Sequence, residues 1–76
     1  MEELVRYLVS LLVEEPDKIE IRTRTAGLTK VYQVYVAQGD LGKVIGRRGR
    51  TAGALRLVVE AASRKFDERA TVDIVS

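Results

Sequence analysis

The chain has 76 residues, a length that fits one domain with one small core. It contains neither cysteine nor histidine, which excludes a disulfide scaffold, zinc or haem ligation by Cys/His, and a histidine general base. The net charge is only +2, but residues 1–20 carry six acidic and two basic residues, whereas residues 41–59 carry five basic residues and no acidic one. This separation of charge predicts a basic face on a nearly neutral protein.

The sequence offers no membrane or export signal. No apolar run approaches the roughly 20 residues that a membrane-spanning helix requires. The acidic start at Met1–Glu3 differs from the basic start of a secretion signal. We therefore expect a cytoplasmic protein without a membrane partner.

The first half of the chain predicts a helix followed by a β-hairpin. Residues 2–14 have helical periodicity, and Pro16 disfavours a helical conformation at the residue before it. Residues 18–25 alternate as a half-buried strand does, and the short turn at 26–29 makes residues 30–37 an antiparallel partner. The predicted apolar stripe of the helix consists of Leu4, Val5, Leu8, Leu11 and Leu12.

The second half predicts two helices and a final strand. Asp40 is a suitable N-cap for a short helix at 41–45, a longer helix runs over 50–66, and residues 70–75 alternate as a strand. The long helical connection allows the last strand to pair in parallel. We expect an α+β fold of order α-β-β-α-α-β, with a three-stranded mixed sheet and three helices on one face. The predicted buried stripe of the longer helix is Leu55, Val58, Val59, Ala62 and Phe66.

The turn between those two helices reads Gly46-Arg47-Arg48-Gly49. Glycine has no Cβ and lets another molecule approach the backbone closely. The arginines supply fixed positive charge and forked donors, and the start of the following helix offers free N–H groups to an anion. This combination predicts a site that holds the phosphate backbone of a nucleic acid.

The run from Val44 to Gly49, set between two helices of a chain with this order of elements, resembles a type II KH domain. Residues 42–59, the chain length and the acidic first helix are similar to the KhpA family of small bacterial single-domain KH proteins. The resemblance implies one KH domain over 1–76, in which the first helix and strand (1–26) precede a KH core with the GXXG loop (29–76).

The resemblance also implies a function. It predicts a single-stranded RNA-binding protein or RNA chaperone that is not an enzyme and needs no cofactor, metal or small-molecule substrate. It implies a homodimer, or a heterodimer with a larger KH-containing protein. The implied biological role is post-transcriptional regulation linked to cell-envelope homeostasis and cell shape.

Site residues follow from the same resemblance, in which a GXXG loop clamps the backbone of about four unpaired nucleotides. One of the two apolar residues before the loop is expected to pack inward and the other to line the groove. The second strand, with Lys30 as a charged contact, is expected to form the opposite wall, and Arg56 is a weaker candidate. The predicted RNA-binding residues are Lys43, Val44, Ile45, Gly46, Arg47, Arg48, Gly49 and Arg50.

Two further expectations concern selectivity and assembly. Many KH domains carry a bulky aliphatic residue three positions after the second loop glycine, where this chain has Ala52 followed by Gly53. The groove floor should therefore be shallow and base discrimination loose. An apolar patch of Val31, Tyr35 and Val75 on the outer face of the sheet suggests a dimer contact.

Other functions fit the sequence less well. The glycine and lysine spacing does not match a P-loop or a dinucleotide-binding motif, and no aromatic RNP motif is present. No paired carboxylates or nucleophile–base pair indicates catalysis. Two alternatives stay open: a protein-interaction subunit with a vestigial loop, and a helix-hairpin-helix DNA binder suggested by residues 49–52.

Overall fold

The computed structural model describes all 76 residues and contains three helices and three strands. Short 3₁₀ turns connect several of these elements. None of the helices is both long and apolar enough to cross a membrane. The elements are α1 (Glu2–Ser10), β1 (Glu20–Ala26), β2 (Thr29–Tyr35), α2 (Leu41–Ile45), α3 (Arg50–Ser63) and β3 (Ala70–Ile74).

The sheet has the order β1-β2-β3, with β2 antiparallel to β1 and parallel to β3. Ala26 faces Thr29 across a two-residue turn in which Gly27 adopts a φ of +64°. The predicted mixed sheet, with a hairpin and a parallel crossover, is confirmed. The strand boundaries differ from the predicted ones by at most two residues.

The core lies between one face of the sheet and the three helices. The side chains that are completely enclosed are all valines: Val5, Val9, Val34, Val44 and Val59. They come from α1, β2, α2 and α3, so these four elements meet in one cluster. Valine is stiff at χ1 and has few rotamers to lose, which suits a small core that must be packed uniquely.

Helix α1 ends at Ser10, four residues before the predicted end. Leu11, predicted to be buried, is 64% exposed, while Val9 is fully buried. Beyond the end of the helix, the backbone N–H groups of Glu14 and Glu15 donate to the side chain of Asp40 and not to helical carbonyls.

The α-helical part of α3 ends at Ser63, and a 3₁₀ turn over Arg64–Phe66 follows it. This tightening and the positive φ of Asp67 (+54°) redirect the chain, so Phe66 is 57% exposed and its predicted burial is wrong. Val58 is also exposed. Ser63 is buried, and its hydroxyl donates to the carbonyl of Glu60 at 2.8 Å.

Asp40 connects the start of α2 to the segment that follows α1. Its side chain makes no capping hydrogen bond to α2, in contrast to the predicted N-cap role. The residue is 3% exposed, and its two carboxylate oxygens accept the N–H groups of Glu14 and Glu15, each at 3.1 Å. The ammonium of Lys43 lies 3.6 Å from one of these oxygens. These contacts fix α2, and therefore the loop that follows it, against the rest of the domain.

We predict that Asp40→Asn destabilises the fold at neutral pH and that the difference shrinks in acid. The hydrogen bond from the Glu14 N–H, with a smaller contribution from Glu15, lowers the pKa of Asp40 despite burial. A lowered folded pKa means that the stabilisation is present above the unfolded pKa, about 3.9, and is lost as pH falls through the folded value. Urea unfolding at neutral and acidic pH measures this, with the exposed Asp17→Asn as the control of equal charge change. A constant difference at all pH values would contradict the role of the carboxylate.

One glycine of the loop after α2 packs closely against the first turn of α3. Gly46 has a φ of +75°, and a Cβ placed there would lie 2.8 Å from the backbone nitrogen of Thr51. Gly49 also has a positive φ (+74°), but a Cβ there would meet no atom within 4 Å. The first glycine is therefore required by packing and conformation, and the second by conformation alone.

We predict that Gly46→Ala lowers the free energy of unfolding by about 2–4 kcal/mol, because it adds both a steric clash and backbone strain. Gly49→Ala should cost only about 1 kcal/mol, since it adds strain without a clash. Chemical denaturation of the two variants tests this difference, and equal losses would show that the Gly46–Thr51 contact does not hold the loop.

Candidate nucleic-acid interface

The loop between α2 and α3 has an unusual backbone. The Gly46 N–H donates to the carbonyl of Gly42 at 2.9 Å and ends α2, and the Gly49 N–H donates to the carbonyl of Gly46 at 3.1 Å and closes the turn. Three of its four residues have positive φ: Gly46, Arg48 (+58°) and Gly49. Arginine in the left-handed region costs about 1 kcal/mol, so the surrounding contacts must impose this conformation.

Three arginines surround this backbone without an acidic partner. Arg47, Arg48 and Arg50 are exposed, and none of their guanidinium groups lies within 4.0 Å of a carboxylate. Their charge and donors are therefore free for an external anion. Five N–H donors on each guanidinium match the oxygens of a phosphate.

The backbone itself is accessible beside these arginines. The space next to Gly49 is open, and Gly49 leads directly into the first turn of α3, where the Arg50 N–H already donates to the carbonyl of Arg47. The positive end of the helix dipole adds to the attraction for a phosphate. The accessible loop backbone and the helix start are thus directly adjacent in the chain to the three arginines.

The two apolar residues before the loop differ in burial. Val44 is fully buried in the core and cannot touch a ligand, whereas Ile45 is half-buried. Ile45 is therefore the one that can line a groove. At the start of α3, Ala52 and Gly53 are half-buried, and the space where a Cβ would stand on Gly53 is empty. The surface between the loop and α3 is correspondingly shallow.

The prediction that strand β2 forms the opposite wall is wrong, because β2 lies in the middle of the sheet. It is hydrogen-bonded to β1 on one side and β3 on the other, and the ammonium of Lys30 pairs with Glu68 at 3.3 Å. Strand order depends on contacts far apart in sequence, which local alternation does not report. The edge beside α3 belongs to β3.

Strand β3 presents a free edge. The carbonyl of Arg69 accepts the N–H of Lys30, and the N–H of Val75 donates to Val34. Because a parallel ladder uses alternate residues, the backbone groups of Val72 and Ile74 point away from β2. One of them already has a side-chain partner: the Nε of Arg56 donates to the carbonyl of Val72 at 3.3 Å.

This edge leads towards the loop. Near the end of α3, Thr71 donates its hydroxyl hydrogen to the carboxylate of Glu60 at 2.8 Å. Since Arg56 precedes Glu60 and reaches the next residue of β3, the strand runs antiparallel to α3. Ile74 therefore lies towards the N-terminal end of α3, where the loop ends. The loop, α3 and the free edge of β3 are therefore the three elements that could bound a groove.

Lys43 differs from the arginines because it already has partners. Its ammonium lies 2.6 Å from the carboxylate of Glu14 and 3.6 Å from that of Asp40. The hydrogen bond to Glu14 is the main reason why the pKa of Lys43 is raised. In this structure Lys43 thus faces the segment after α1 and not the loop.

An open polar cleft of about 850 Å³ lies at the far end of α3 and was missed by sequence reasoning. Arg64 and Arg69 line it, and neither guanidinium is within 4.0 Å of a carboxylate. The sequence signal for it is the polar run at 67–69. No group of three or more acidic side chains in the structure could hold a metal ion.

Comparison with known proteins identifies the family. Residues 2–74 match the family described as "KhpA/KhpB, KH domain". The chain is 39% identical over 75 residues to a protein of Caldanaerobacter subterraneus subsp. tengcongensis, covering 99% of this chain and 100% of that one. It is 40% identical to a protein of Halalkalibacterium halodurans, covering 99% of both chains.

A third relative, from Streptomyces coelicolor, is 48% identical over 61 residues, which cover 80% of this chain and 77% of the relative. All three relatives carry the name RNA-binding protein KhpA. The match covers both the loop and the elements that position it, and the fold is the α+β arrangement expected for a KH domain. The chain belongs to the KhpA/KhpB family of KH domains.

Proposed function

We propose that this protein binds single-stranded RNA by clamping the sugar–phosphate backbone with the loop Gly46–Gly49. The observation that carries the proposal is the set of three unpaired arginines around an open, positive-φ backbone at the start of α3. The names of the relatives support RNA as the ligand. In this proposal Arg47, Arg48 and Arg50 contact phosphates, and Gly49 permits the close approach.

The groove favours an unpaired strand. A strand held between the loop and β3 would place its bases over Ile45, Ala52 and Gly53, and against the backbone groups of the β3 edge. A duplex keeps its bases paired and stacked and could not present them to such a cleft. Three phosphate contacts predict a slope of about −2 in a plot of log K against log salt concentration.

The proposal extends to biological role by family resemblance alone. We propose a non-catalytic, cytoplasmic RNA-binding protein that acts as an RNA chaperone in post-transcriptional regulation, linked to cell-envelope homeostasis and cell shape. The shallow floor beside Ala52 and Gly53 supports a binder with loose base preference, which suits a chaperone that meets many RNAs.

We predict that Arg47→Asp with Arg48→Asp weakens binding to a short single-stranded RNA by more than about 100-fold, because two charge-assisted contacts are lost. The fold should persist, since both side chains are exposed and aspartate tolerates the left-handed conformation of position 48 better than arginine. Fluorescence anisotropy with RNA, single-stranded DNA and duplex DNA measures the effect.

The matched control is Lys18→Asp with Lys65→Asp, which removes the same charge at two exposed positions outside the loop. It should weaken binding only a few-fold, through the long-range field. Unchanged RNA affinity in the folded loop variant would favour the protein-interaction alternative. A preference of the wild type for duplex DNA would favour the helix-hairpin-helix alternative.

A dimer is part of the proposed function, but its surface differs from the expected one. On the outer face of the sheet Val31 is buried, and the guanidinium of Arg22 lies 5.0 Å from the centre of the Tyr35 ring. That patch is therefore largely covered. Exposed apolar side chains lie on α3, where Leu57 is 71% exposed and Val58 is also exposed.

The exposed face of α3 is suited to a second copy of this chain. Its exposed apolar residues are Ala54, Leu57, Val58 and Ala61. Two such helices related by a two-fold axis between Leu57 and Val58 would place each large side chain near the partner's alanines. Small residues beside large ones allow two helices to approach closely. A groove of about 240 Å³ between α1 and α3 continues this apolar surface.

We predict that the wild type is a dimer at tens of micromolar and that Leu57→Asp makes it monomeric, because the charge would be buried in the contact. Leu28→Asp, at an exposed turn outside the proposed contact, should remain dimeric. Sedimentation equilibrium distinguishes these outcomes. A monomeric wild type would contradict the homodimer and leave the larger KH-containing protein as the partner to test on the same surface.

A further inference from the structure

Lys43 is the only basic residue between Leu41 and Val59 that forms an ion pair. Its partner Glu14 comes from the segment between α1 and β1, 29 positions earlier in the chain. This segment is held beside α2 by the hydrogen bonds from Glu14 and Glu15 to Asp40. The position of the Glu14 carboxylate beside α2 is therefore a consequence of the fold.

The contact between Glu14 and Lys43 can be broken without disturbing the fold. The Glu14 side chain is 80% exposed and that of Lys43 is 45% exposed, and exposed ion pairs contribute little to stability. Asp40 retains two backbone hydrogen bonds without Lys43. Neither the segment after α1 nor α2 depends on Lys43 keeping this partner.

We propose that Glu14 limits the affinity of the loop for RNA by occupying Lys43 and withholding one phosphate contact. The inference rests on the proposed RNA-binding function. The Glu14 carboxylate binds the Lys43 ammonium as a phosphate would, because it places an anionic oxygen at hydrogen-bond distance from it. Without the Glu14 carboxylate, Lys43 keeps only its longer contact to Asp40 (3.6 Å), and its flexible side chain can reach towards the basic cluster formed by Arg47, Arg48 and Arg50.

The location of Lys43 fits this exchange. It lies on α2 three residues before Gly46, a separation of one helical turn or about 5 Å along the axis. A lysine side chain has four rotatable bonds and can span that distance. The negative charge of Glu14 also repels a phosphate that approaches from this side, so the carboxylate acts on the same site in two ways.

The test compares Glu14→Gln with Glu15→Gln. Both substitutions remove one negative charge at adjacent exposed positions and leave the backbone bonds to Asp40 in place, but only Glu14 contacts a cation. We expect Glu14→Gln to bind a single-stranded oligouridine about two- to fivefold more tightly at about 50 mM salt. Its salt slope should be steeper by about 0.7, the contribution of one added phosphate contact.

Glu15→Gln should show a smaller gain and an unchanged salt slope, because it alters only the long-range field. Repeating both variants in a Lys43→Met background completes a double-mutant cycle. In that background the two glutamine variants should be indistinguishable. Equal behaviour of Glu14→Gln and Glu15→Gln with Lys43 present, or an extra gain of Glu14→Gln over Glu15→Gln that persists without Lys43, would overturn the inference.

Failure of this inference is distinguishable from failure of the proposed function. If the wild type binds oligouridine and the Arg47→Asp/Arg48→Asp variant does not, the loop is the RNA site and the glutamine variants test Glu14 alone. If the wild type does not bind, or binds equally well without the loop arginines, both proposals are wrong. Far-ultraviolet circular dichroism of each variant confirms that the compared proteins are folded.

Discussion

The carboxylate of Asp40 joins the start of α2 to the segment that follows α1 through two backbone hydrogen bonds. It lies at the start of a five-residue helix, and a helix so short has little stability of its own. By accepting two N–H groups from the segment after α1, it satisfies backbone donors that the early end of α1 leaves free. Because α2 leads directly into the GXXG loop, this buried contact determines where the loop begins.

The loop shows how a small domain can fix a functional backbone conformation. Gly46 packs against Thr51, and hydrogen bonds from Gly46 and Gly49 close the turn on both sides. Arg48 is held in a conformation that arginine seldom adopts. A backbone prepared in this way needs little reorganisation on binding, so less of the interaction energy is lost to ordering the site.

Local patterns in the sequence predict much of this fold, and distant contacts account for the rest. The alternation around β1 and the periodicity of α3 identify these elements, and the glycine pair with its arginines identifies the loop. The partners of Asp40 lie 25 and 26 positions away, so neither they nor the early end of α1 could be predicted locally. The same holds for β3 as the free edge, since strand order is decided by tertiary pairing. The exposure of Phe66 follows from a change of helical pitch that has no simple sequence signal.

The parallel pairing of β2 with β3 has a consequence for how the protein folds. The hairpin of β1 and β2 closes through a two-residue turn, which is a fast local event. Strand β3 can join only after the intervening 34 residues, from Val36 to Arg69, have wound into helices and returned. Until then the second edge of β2 remains unpaired, and the groove lacks one side. A partly folded chain in which β3 is still unpaired would therefore carry the basic loop without the strand proposed to complete the cleft.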